Sequence, residues 1–369
     1  SLTSIHLLLS LRQAASSQHY NSEGVGHPFL QGCAQFGKTY PDTAVFCSMP
    51  MRIAPTGSIL YSVRAPVGEI NIADQDYCIG RGLAAVEAKG VDSKLLYYLL
   101  LYTRPQLTQI AQGSTFEAIS SADLAECVIP ALGAPSPQTA IADILSTVDQ
   151  AIAQTEALIA KQRRIKAGLL HDLLTRGIDE HGQLRDPATH RFKQSPVGWV
   201  PEEWEVKPLA DMAEVGTGVT LGRTISGLDT IELPYLRVAN VQDGYIDLSE
   251  VKTIRVYSQE VPRFLLQTGD VLMNEGGDYD KLGRGTVWRG QISPCLHQNH
   301  VFRVRTNQAK LLPEFLALVS ASPYGKRFFV LSSKQSTNLA SINSTQLKAF
   351  PVPLPSTAEQ RRIIEVLGS

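Results

Sequence analysis

The sequence predicts an α+β fold in which two duplicated mixed domains are separated by one long helix. Three observations support this class. Strand-like runs followed by helix-like runs occur once in each half of the chain, which is the order typical of α+β domains. A segment near residue 120 is repeated near residue 340. Between residues 138 and 175 there is no proline and only one glycine, Gly168, which favours an uninterrupted helix.

The composition is that of a folded protein with more than one core. The chain has 369 residues, of which 43% are hydrophobic and 19% charged, and its formal net charge is −1. A disordered protein would have fewer apolar residues and a larger net charge. No apolar run approaches the ~18 residues that a membrane span needs. Partners are therefore not expected to include a membrane.

The cysteines and the first residues indicate a cytoplasmic location. The five cysteines are odd in number and form no CxxC pair, so we interpret them as reduced core residues rather than as disulfides or metal ligands. The first thirteen residues lack the basic region and the cleavage site of a signal peptide.

Each half contains its own strands and helices, bounded by glycine and proline. In the first half, strands are predicted over 58–63, 69–72 and 83–86, and helices over 93–102 and 104–111. In the second half, strands are predicted over 234–238, 271–274, 286–288 and 301–304, and helices over 313–320 and 324–331. The segment between residues 176 and 208 is interpreted as an irregular linker. These elements give four segments: a first domain over 1–136, a central helix over 137–177, a linker and second domain over 178–355, and the start of a distal helix over 356–369.

The central helix has the pattern of a coiled-coil seam. Ten positions between residues 141 and 173 recur at alternating steps of four and three, which is the 3.5-residue period of a coiled coil, and seven of the ten are aliphatic. The helix would be roughly 57 Å long at 1.5 Å per residue, and Gly177 is a candidate C-cap. The seam positions that we expect to be buried against another helix are Ile141, Leu145, Val148, Ile152, Ile159, Leu169 and Leu173.

The repeated segments indicate a tandem duplication. Ile119 and Leu124 correspond to Ile342 and Leu347 at the same spacing, and each segment leads into a proline-rich stretch and then a helix. The second of these helices begins near Thr357, and the sequence ends at Ser369. We therefore expect a second copy of the chain to supply a partner helix, forming a homodimer through the spacer helices.

Two motifs suggest chemistry that their surroundings do not support. Residues 32–39 match GxxxxGK[ST] letter for letter, but a phosphate-binding loop needs a buried strand before it and a helix after it. We interpret the match as chance. His297 and His300 precede a strand, where residues three apart diverge, so we interpret them as structural or DNA-facing rather than metal-binding. No complete catalytic set is found, and no metal or cofactor is predicted.

Several motifs together resemble one known family. The chain resembles the specificity (S) subunits of type I restriction–modification systems over roughly residues 28–367. In the first half the resemblance is carried by residues 28–32, 59–68 and 78–83, and in the second by residues 234–241, 269–277, 280–285 and 297–303. Residues 170–179, 192–198 and 201–205 are similar to the central region of the family. The family element that opens each spacer helix is found at 353–360 and, degraded, at 135–138.

The resemblance implies a DNA-recognition subunit without catalysis of its own. Such subunits read a bipartite sequence in double-stranded DNA and dock modification (methyltransferase) subunits, with restriction (motor-nuclease) subunits joining afterwards. Each domain would read one half-site, and the helix would fix the separation of the two. Two alternatives from other classes stay open: a coiled-coil assembly adaptor with two protein-binding domains, and a nucleotide-binding enzyme that uses residues 32–39.

Base reading needs long side chains that carry hydrogen-bond donors and acceptors. The candidates for DNA contact lie in polar loops. They are Gln31, Gln35, Arg64 and Arg81 in the first domain, and Arg237, Asn240, Asn274, Arg284, Gln298, Asn299, Lys334 and Gln335 in the second.

Overall fold

The computed structural model of the chain describes residues 2–4, 17–87, 91–111, 118–120, 123–124, 128–130, 135–225, 227–277, 282–335 and 340–368. The chain forms two compact units, residues 1–158 and 159–369. The boundary falls inside one long helix, Pro135–Thr175. Both units contain strands and helices, as the α+β prediction requires.

The first unit contains three sheets among its described residues. Their strand orders are β2-β4-β3-β8-β5, β7-β6-β9 and β1-β10. The strands are β1 Leu2–Ser4, β2 Tyr20–Asn21, β3 His27–Leu30, β4 Phe46–Cys47, β5 Ile53–Ala54, β6 Ile59–Ser62, β7 Ile70–Ile72, β8 Tyr77–Ile79, β9 Leu83–Val86 and β10 Val128–Pro130. The three strands predicted from sequence are β6, β7 and β9.

One helix replaces the two that the sequence predicts after these strands. It runs from Ser93 to Ala111 with Pro105 inside. Leu96 and Leu100 before the proline and Leu107 after it are all buried in the same core. Shared burial therefore holds the two halves in one continuous helix, in spite of the backbone hydrogen bond that the proline removes.

The second unit contains five sheets among its described residues, with strand orders β14-β21-β17-β19, β16-β15-β20, β18-β23-β22, β13-β24 and β11-β12. The strands are β11 Phe192–Ser195, β12 Gly198–Pro201, β13 Glu205–Pro208, β14 Ala213–Thr217, β15 Thr230–Leu236, β16 Lys252–Tyr257, β17 Val271–Asn274, β18 Gly276–Gly277, β19 Gly285–Val287, β20 Leu296–His297, β21 Val301–Thr306, β22 Lys334–Gln335, β23 Ala340–Ser341 and β24 Pro351–Leu354. The helices after the long central one are Val261–Phe264, Pro313–Ala321, Pro323–Ser332, Ser344–Lys348 and Thr357–Gly368. We call the last of these the distal helix. Its start is at the predicted residue.

The expectation of an irregular linker over 176–208 is wrong. This segment contains the hairpin β11–β12 and the strand β13, which pairs antiparallel with β24. The partner of β13 lies far along the chain, so no local pattern identifies it. The strand predicted over 234–238 also ends earlier, at Leu236, because the Asn240 side chain accepts a hydrogen bond from the Arg237 amide at 2.9 Å and turns the chain there.

The central helix ends where the sequence predicts. Gly177 has φ +66°, the left-handed conformation that follows many helix C-termini. A Cβ there would lie 2.3 Å from Oε1 of Glu359 and 2.4 Å from the Trp204 ring. Glycine is therefore required at this position both for its conformation and for the close approach of these side chains.

The seam residues of the central helix lie in two kinds of surroundings. Ile141 packs on the core of the first unit, and Leu169 and Leu173 pack on that of the second. The middle positions Leu145, Val148, Ile152 and Ile159 are between 37% and 51% exposed. No described element covers these four side chains, so their burial against a further helix stays a prediction. No described helix is both long and apolar enough to cross a membrane.

The two units share one strand arrangement, which supports the duplication. In the first, β6 pairs with β7 and β9; in the second, β17 pairs with β19 and β21 in the same antiparallel sense. A parallel pair accompanies each: β3 with β8, and β15 with β20. The repeated segment occupies the same place in both, since the Ile119 amide bonds to the Val63 carbonyl at 3.0 Å and the Ile342 amide to the Glu275 carbonyl at 2.9 Å.

Candidate DNA interface

The ends of the parallel strand pair in the first unit present two of the predicted side chains. β3 and β8 run side by side, and the Gly80 amide after β8 bonds to the Leu30 carbonyl at 2.7 Å. Gln31 follows β3 and Arg81 follows Gly80, so both leave the sheet at the same edge. Both side chains are exposed. A Cβ on Gly80 would lie 2.8 Å from Oε1 of Gln31, so the glycine makes room for that amide.

The second unit repeats this edge with different side chains. The Gln298 amide after β20 bonds to the Leu236 carbonyl at the end of β15, at 2.9 Å. Arg237 therefore occupies the place of Gln31, and Asn299 that of Arg81. Arg237 and Asn299 are half-buried. The geometry brings together candidates that are more than sixty residues apart in the sequence.

A groove of about 730 Å³ opens beside this edge in the second unit. Arg237, Gln298 and Lys334 line it, so it gathers three of the predicted residues. The Arg237 guanidinium lies 3.2 Å from Oε2 of Glu250 and holds the pKa of that carboxyl below its usual range. Lys334 is exposed and makes no ion pair with any described residue. The groove therefore carries cationic groups, as contact with phosphates requires.

Glu275 and His300 also line this groove, although the sequence prediction did not select Glu275. Nδ1 of His300 lies 2.5 Å from Oε2 of Glu275. The His300 side chain is 55% exposed, which fits the DNA-facing alternative predicted for it. The signal for Glu275 was present in the sequence, because it follows directly on a strand that ends in Asn274.

The first unit has a groove of about 690 Å³ lined by Gln31, Gln35 and Lys38. An ion pair between Arg104 and Glu69 forms part of its wall. Arg64 and Arg81 do not line this groove. Both are exposed, and neither makes a side-chain hydrogen bond or ion pair with another described residue. These side chains are available to phosphates or bases.

Two asparagines predicted to contact DNA are instead structural. Asn240 is 3% exposed, and its side-chain amide donates to the Asp247 and Glu250 carbonyls at 2.8 and 2.9 Å. Asn274 is 1% exposed and donates to the Val241 carbonyl at 3.0 Å. Both side-chain amides donate to backbone carbonyls of the loop that follows β15. Buried backbone carbonyls need such hydrogen-bond partners.

Arg284 is also held by its own unit. Its Nη1 donates to Oε1 of Gln242 at 3.0 Å, its Nε lies 3.7 Å from Asp243, and the side chain is only 18% exposed. Its selection as a DNA-contacting residue is therefore a poor match to the structure, because the side chain is largely buried and is held beside Gln242 and Asp243. Gln335 lies on β22, but its side chain is outside the described residues.

His297 is a core residue. It is fully buried on β20, and its Nδ1 lies 2.7 Å from the Val301 carbonyl. Burial lowers its pKa to about 4, so the ring is neutral at physiological pH. Of the two readings left open for this residue, the structural one is correct.

The GxxxxGK[ST] match lacks the surroundings of a phosphate-binding loop. A short strand, β3, precedes it, but no helix lies between Thr39 and Glu87, all of which the structure describes. Nζ of Lys38 lies 2.5 Å from Oε2 of Glu156. Without a following helix N-terminus there is no set of aligned amides to hold phosphates, so the nucleotide-binding alternative is not supported.

The described cysteines form no disulfide with one another, and the described acidic side chains form no metal-binding cluster. The four described cysteines, Cys33, Cys47, Cys78 and Cys295, are free, and Cys127 lies outside the described residues. Burial raises the pKa of Cys78 and of Cys295 to about 12. Within the part of the chain that the structure describes, no group of three or more His, Cys, Asp or Glu side chains could hold a metal ion.

Comparison with known proteins agrees with the duplicated arrangement. The sequence profile of the type I restriction modification DNA specificity domain matches twice, over residues 38–162 and 201–369. A putative type I restriction enzyme MjaX specificity subunit from Methanocaldococcus jannaschii is 38% identical over 165 residues, or 44% of this chain. The MjaVIII specificity subunit of the same organism is 26% identical over 287 residues, or 76% of this chain.

A solved structure has the same fold. The crystal structure of the S subunit of a type I restriction–modification system from M. genitalium aligns with a TM-score of 0.56 over 98% of this chain and 86% of that one, at 16% identity. The aligned segments cover 39% and 64% of the two Methanocaldococcus proteins, so this chain spans less than two thirds of the length of those curated relatives.

Proposed function

The chain belongs to the type I restriction modification DNA specificity family, and on that premise we propose that it is the sequence-reading subunit of a type I restriction–modification complex. It binds double-stranded DNA at a bipartite site and has no catalysis of its own. The first recognition domain comprises residues 1–136 and the second residues 178–355, and each reads one half-site.

One observation carries the proposal. Both units have the same parallel strand pair, and the same edge of that pair carries Gln31 and Arg81 in one and Arg237 and Asn299 in the other. Arginine suits guanine, and glutamine or asparagine suits adenine, in the major groove. A repeated frame whose equivalent loops differ in base-reading chemistry is what the recognition of two different half-sites requires.

The central helix acts as the spacer between the two readers. Its 41 residues correspond to about 62 Å at 1.5 Å per residue. The exposed positions Leu145, Val148, Ile152 and Ile159 continue the 3.5-residue period, which favours pairing with a further helix in a coiled coil. We infer that a second copy of the chain supplies that helix, so that two copies form a homodimer through their spacer helices.

The partners follow from the family. The M. jannaschii relatives are named as specificity subunits of type I restriction enzymes. We infer that this chain docks modification (methyltransferase) subunits, with restriction (motor-nuclease) subunits joining the assembly, and that the complex works on DNA in the cytoplasm. DNA methylation is then carried out by the modification subunits at positions that this chain selects.

The proposal is tested by exchanging one reader. A host expresses the chain with its modification subunits, and the methylated sequence is determined by methylome sequencing against a strain that lacks the chain. Residues 204–350 are then replaced by the second domain of another family member. We expect one half of the methylated sequence to change and the other half, together with the spacing, to stay as it was.

A companion change alters the spacer instead. Insertion of one heptad in the exposed part of the central helix lengthens it by about 10 Å and should change the gap between two unaltered half-sites. If the domain exchange altered both half-sites, or left the methylated sequence unchanged, the two-reader proposal would be wrong. The adaptor alternative, with two protein-binding domains, would then be favoured.

A further inference from the structure

An acidic side chain lies in the otherwise cationic groove of the second unit. Glu275 lines the groove together with Arg237, Gln298, His300 and Lys334. Its carboxylate is 28% exposed and is held through Oε2 by Nδ1 of His300 at 2.5 Å. A carboxylate that faced only phosphates would be repelled by them. Its position in a groove proposed to bind DNA therefore suggests that it contacts a group other than phosphate.

The fold does not require this pair. In the second unit the Glu275 amide bonds to the His300 carbonyl at 2.9 Å, and in the first unit the Val63 amide bonds to the Gly82 carbonyl at 3.0 Å. The backbone link is the same, but the first unit has neither a carboxylate nor an imidazole there. The pair is thus an addition of side-chain chemistry to a frame that forms without it.

The first unit fills the corresponding space with backbone. A Cβ on Gly82 would lie 2.7 Å from the Gln31 carbonyl oxygen, so no side chain fits there without a shift. In the second unit His300 occupies that position and points its ring at Glu275. The two grooves therefore differ in chemistry at equivalent backbone positions, as residues that distinguish two half-sites must.

The pairing leaves one carboxylate oxygen available. Oε2 accepts from His300, and within the described residues no side chain or amide bonds to Oε1. A carboxylate can only accept hydrogen bonds. On the major-groove edges of DNA the donors are the amino groups of cytosine and adenine, and aspartate or glutamate characteristically accepts from cytosine N4. Arg237 and Lys334 in the same groove suit the O6 and N7 acceptors of guanine.

We propose that Glu275 is a specificity-determining residue of the second domain that accepts a hydrogen bond from the N4 amino group of a cytosine, with His300 as its positioning residue. This inference rests on the proposed function. It assigns a G·C base pair to the half-site that the second domain reads, and it places that reading at the junction between β17 and β18.

The test measures base preference at every position of the site. The full chain is purified in complex with its modification subunits, and bound duplexes are selected from a randomised library. For Glu275→Ala we expect the preference for cytosine at one position in one half-site to fall on the order of tenfold to hundredfold. The other half-site should be unchanged. Glu275→Met, which keeps roughly the size of the side chain but has no oxygen acceptor, serves if the alanine variant does not fold.

Two further variants separate positioning from structure. His300→Ala should weaken the same cytosine preference and no other, and His300→Asn, which retains a side-chain donor, should restore part of it. Glu232→Ala removes an exposed carboxylate of the same unit outside the groove and should alter no preference. Thermal unfolding followed by tryptophan fluorescence checks that each variant is folded.

The outcomes distinguish this inference from the function on which it rests. A wild-type complex that selects no sequence would overturn both. A wild-type complex that selects a bipartite site, with Glu275→Ala or Glu275→Met leaving every preference unchanged or changing affinity evenly for all sequences, would overturn the role of Glu275 alone. Loss of preference at an A·T pair would overturn the assignment to cytosine.

Discussion

The two recognition units place different side chains on the same backbone frame. β3 and β8 in the first unit correspond to β15 and β20 in the second, with matching cross-strand hydrogen bonds at their ends. Ile79 on β8 is replaced by His297 on β20, and Val63 and Gly82 are replaced by Glu275 and His300. Backbone pairing sets the frame, and the side chains at the strand ends vary independently of it.

The starts of the two spacer helices differ as well. Gln138 and Gln360 have the same role. Each side chain accepts a hydrogen bond from a backbone amide just before the neighbouring helix: Gln138 from Asp92 at 3.1 Å, and Gln360 from Leu312 at 2.8 Å. The preceding residue differs, since Pro137 is exposed whereas Glu359 is 4% exposed. The second unit therefore has a buried polar network at this place that the described part of the first unit lacks. Substitution at this place should affect the stability of the second unit more than that of the first.

Removal of the Glu359 carboxylate tests this difference with the largest expected effect. Glu359 accepts from the Ile178 amide at 2.8 Å, from Nη1 of Arg185 at 2.5 Å and from Nε1 of Trp204 at 3.2 Å. Glu359→Ala leaves a buried guanidinium without its main partner, and such losses cost about 3–5 kcal/mol. Urea unfolding followed by tryptophan fluorescence measures the change.

The fluorescence signal reports on the second unit alone, because all three tryptophans, Trp199, Trp204 and Trp288, lie there. Glu203→Ala is the matched control. It removes the other carboxylate beside Arg185. The Glu203 side chain is 55% exposed, so its loss should lower the free energy of unfolding by less than about 1 kcal/mol. Equal losses in the two variants would contradict the assignment of the network's strength to Glu359.

His297 on β20 is at the position equivalent to Ile79 on β8. This difference predicts that the second unit is the more sensitive to acid. The pKa of His297 is lowered to about 4 by burial, against about 6.5 in an unfolded chain. Between these values the unfolded state takes up a proton that the folded state does not. The neutral His297 therefore makes its full contribution to the free energy of unfolding above pH 6.5. That contribution is lost as the pH falls towards 4, by about 3 kcal/mol in total.

His297→Ile, which copies the first unit, should flatten the decline in unfolding free energy between pH 6.5 and 4. The measurement is urea unfolding at several pH values with tryptophan fluorescence. His181→Gln changes an exposed histidine of the same unit, 78% exposed, and should retain the wild-type slope. A slope that is unaltered in His297→Ile would show that other groups cause the acid sensitivity.

A substitution in the glycine-rich loop of the first unit should have the smallest effect on the free energy of unfolding. Lys38 and Glu156 are 69% and 61% exposed, and exposed ion pairs contribute about 0–1 kcal/mol. Lys38→Ala should therefore change unfolding, followed by circular dichroism, by less than about 1 kcal/mol, and should leave the methylated sequence as it is. Binding of ATP by the wild-type chain, abolished in Lys38→Ala, would instead support the nucleotide-binding alternative.

Local patterns identified the elements whose signal lies within a few residues. Apolar runs bounded by glycine or proline predicted β6, β9, β17 and β21, and the 3.5-residue period predicted the central helix almost to its ends. The hairpin β11–β12 and the strand β13 were missed. β13 has only four residues, with Val206 between Glu205 and Lys207, so its alternation is too short to identify a strand. It is defined by its pairing with β24.

The candidate site was predicted by residue type but not by burial. Arg237, Gln298 and Lys334 were chosen because they are long and polar, and the groove contains all three. Asn240 and Asn274 were chosen for the same reason, yet their amides bond to backbone carbonyls of a turn. Short polar side chains near a strand end are equally suited to both roles, and the sequence does not distinguish them.

The sequence by itself determined the duplication, the mixed class of each unit and the long helix, because these depend on periodicity and on repeated local motifs. Only the tertiary structure decided which polar residues face a groove, that Glu275 pairs with His300, and that His297 is buried. Those outcomes depend on contacts between strands that are distant in sequence. The free energy of a polar side chain depends on whether such contacts remove it from water, and that burial is a property of the assembled sheets.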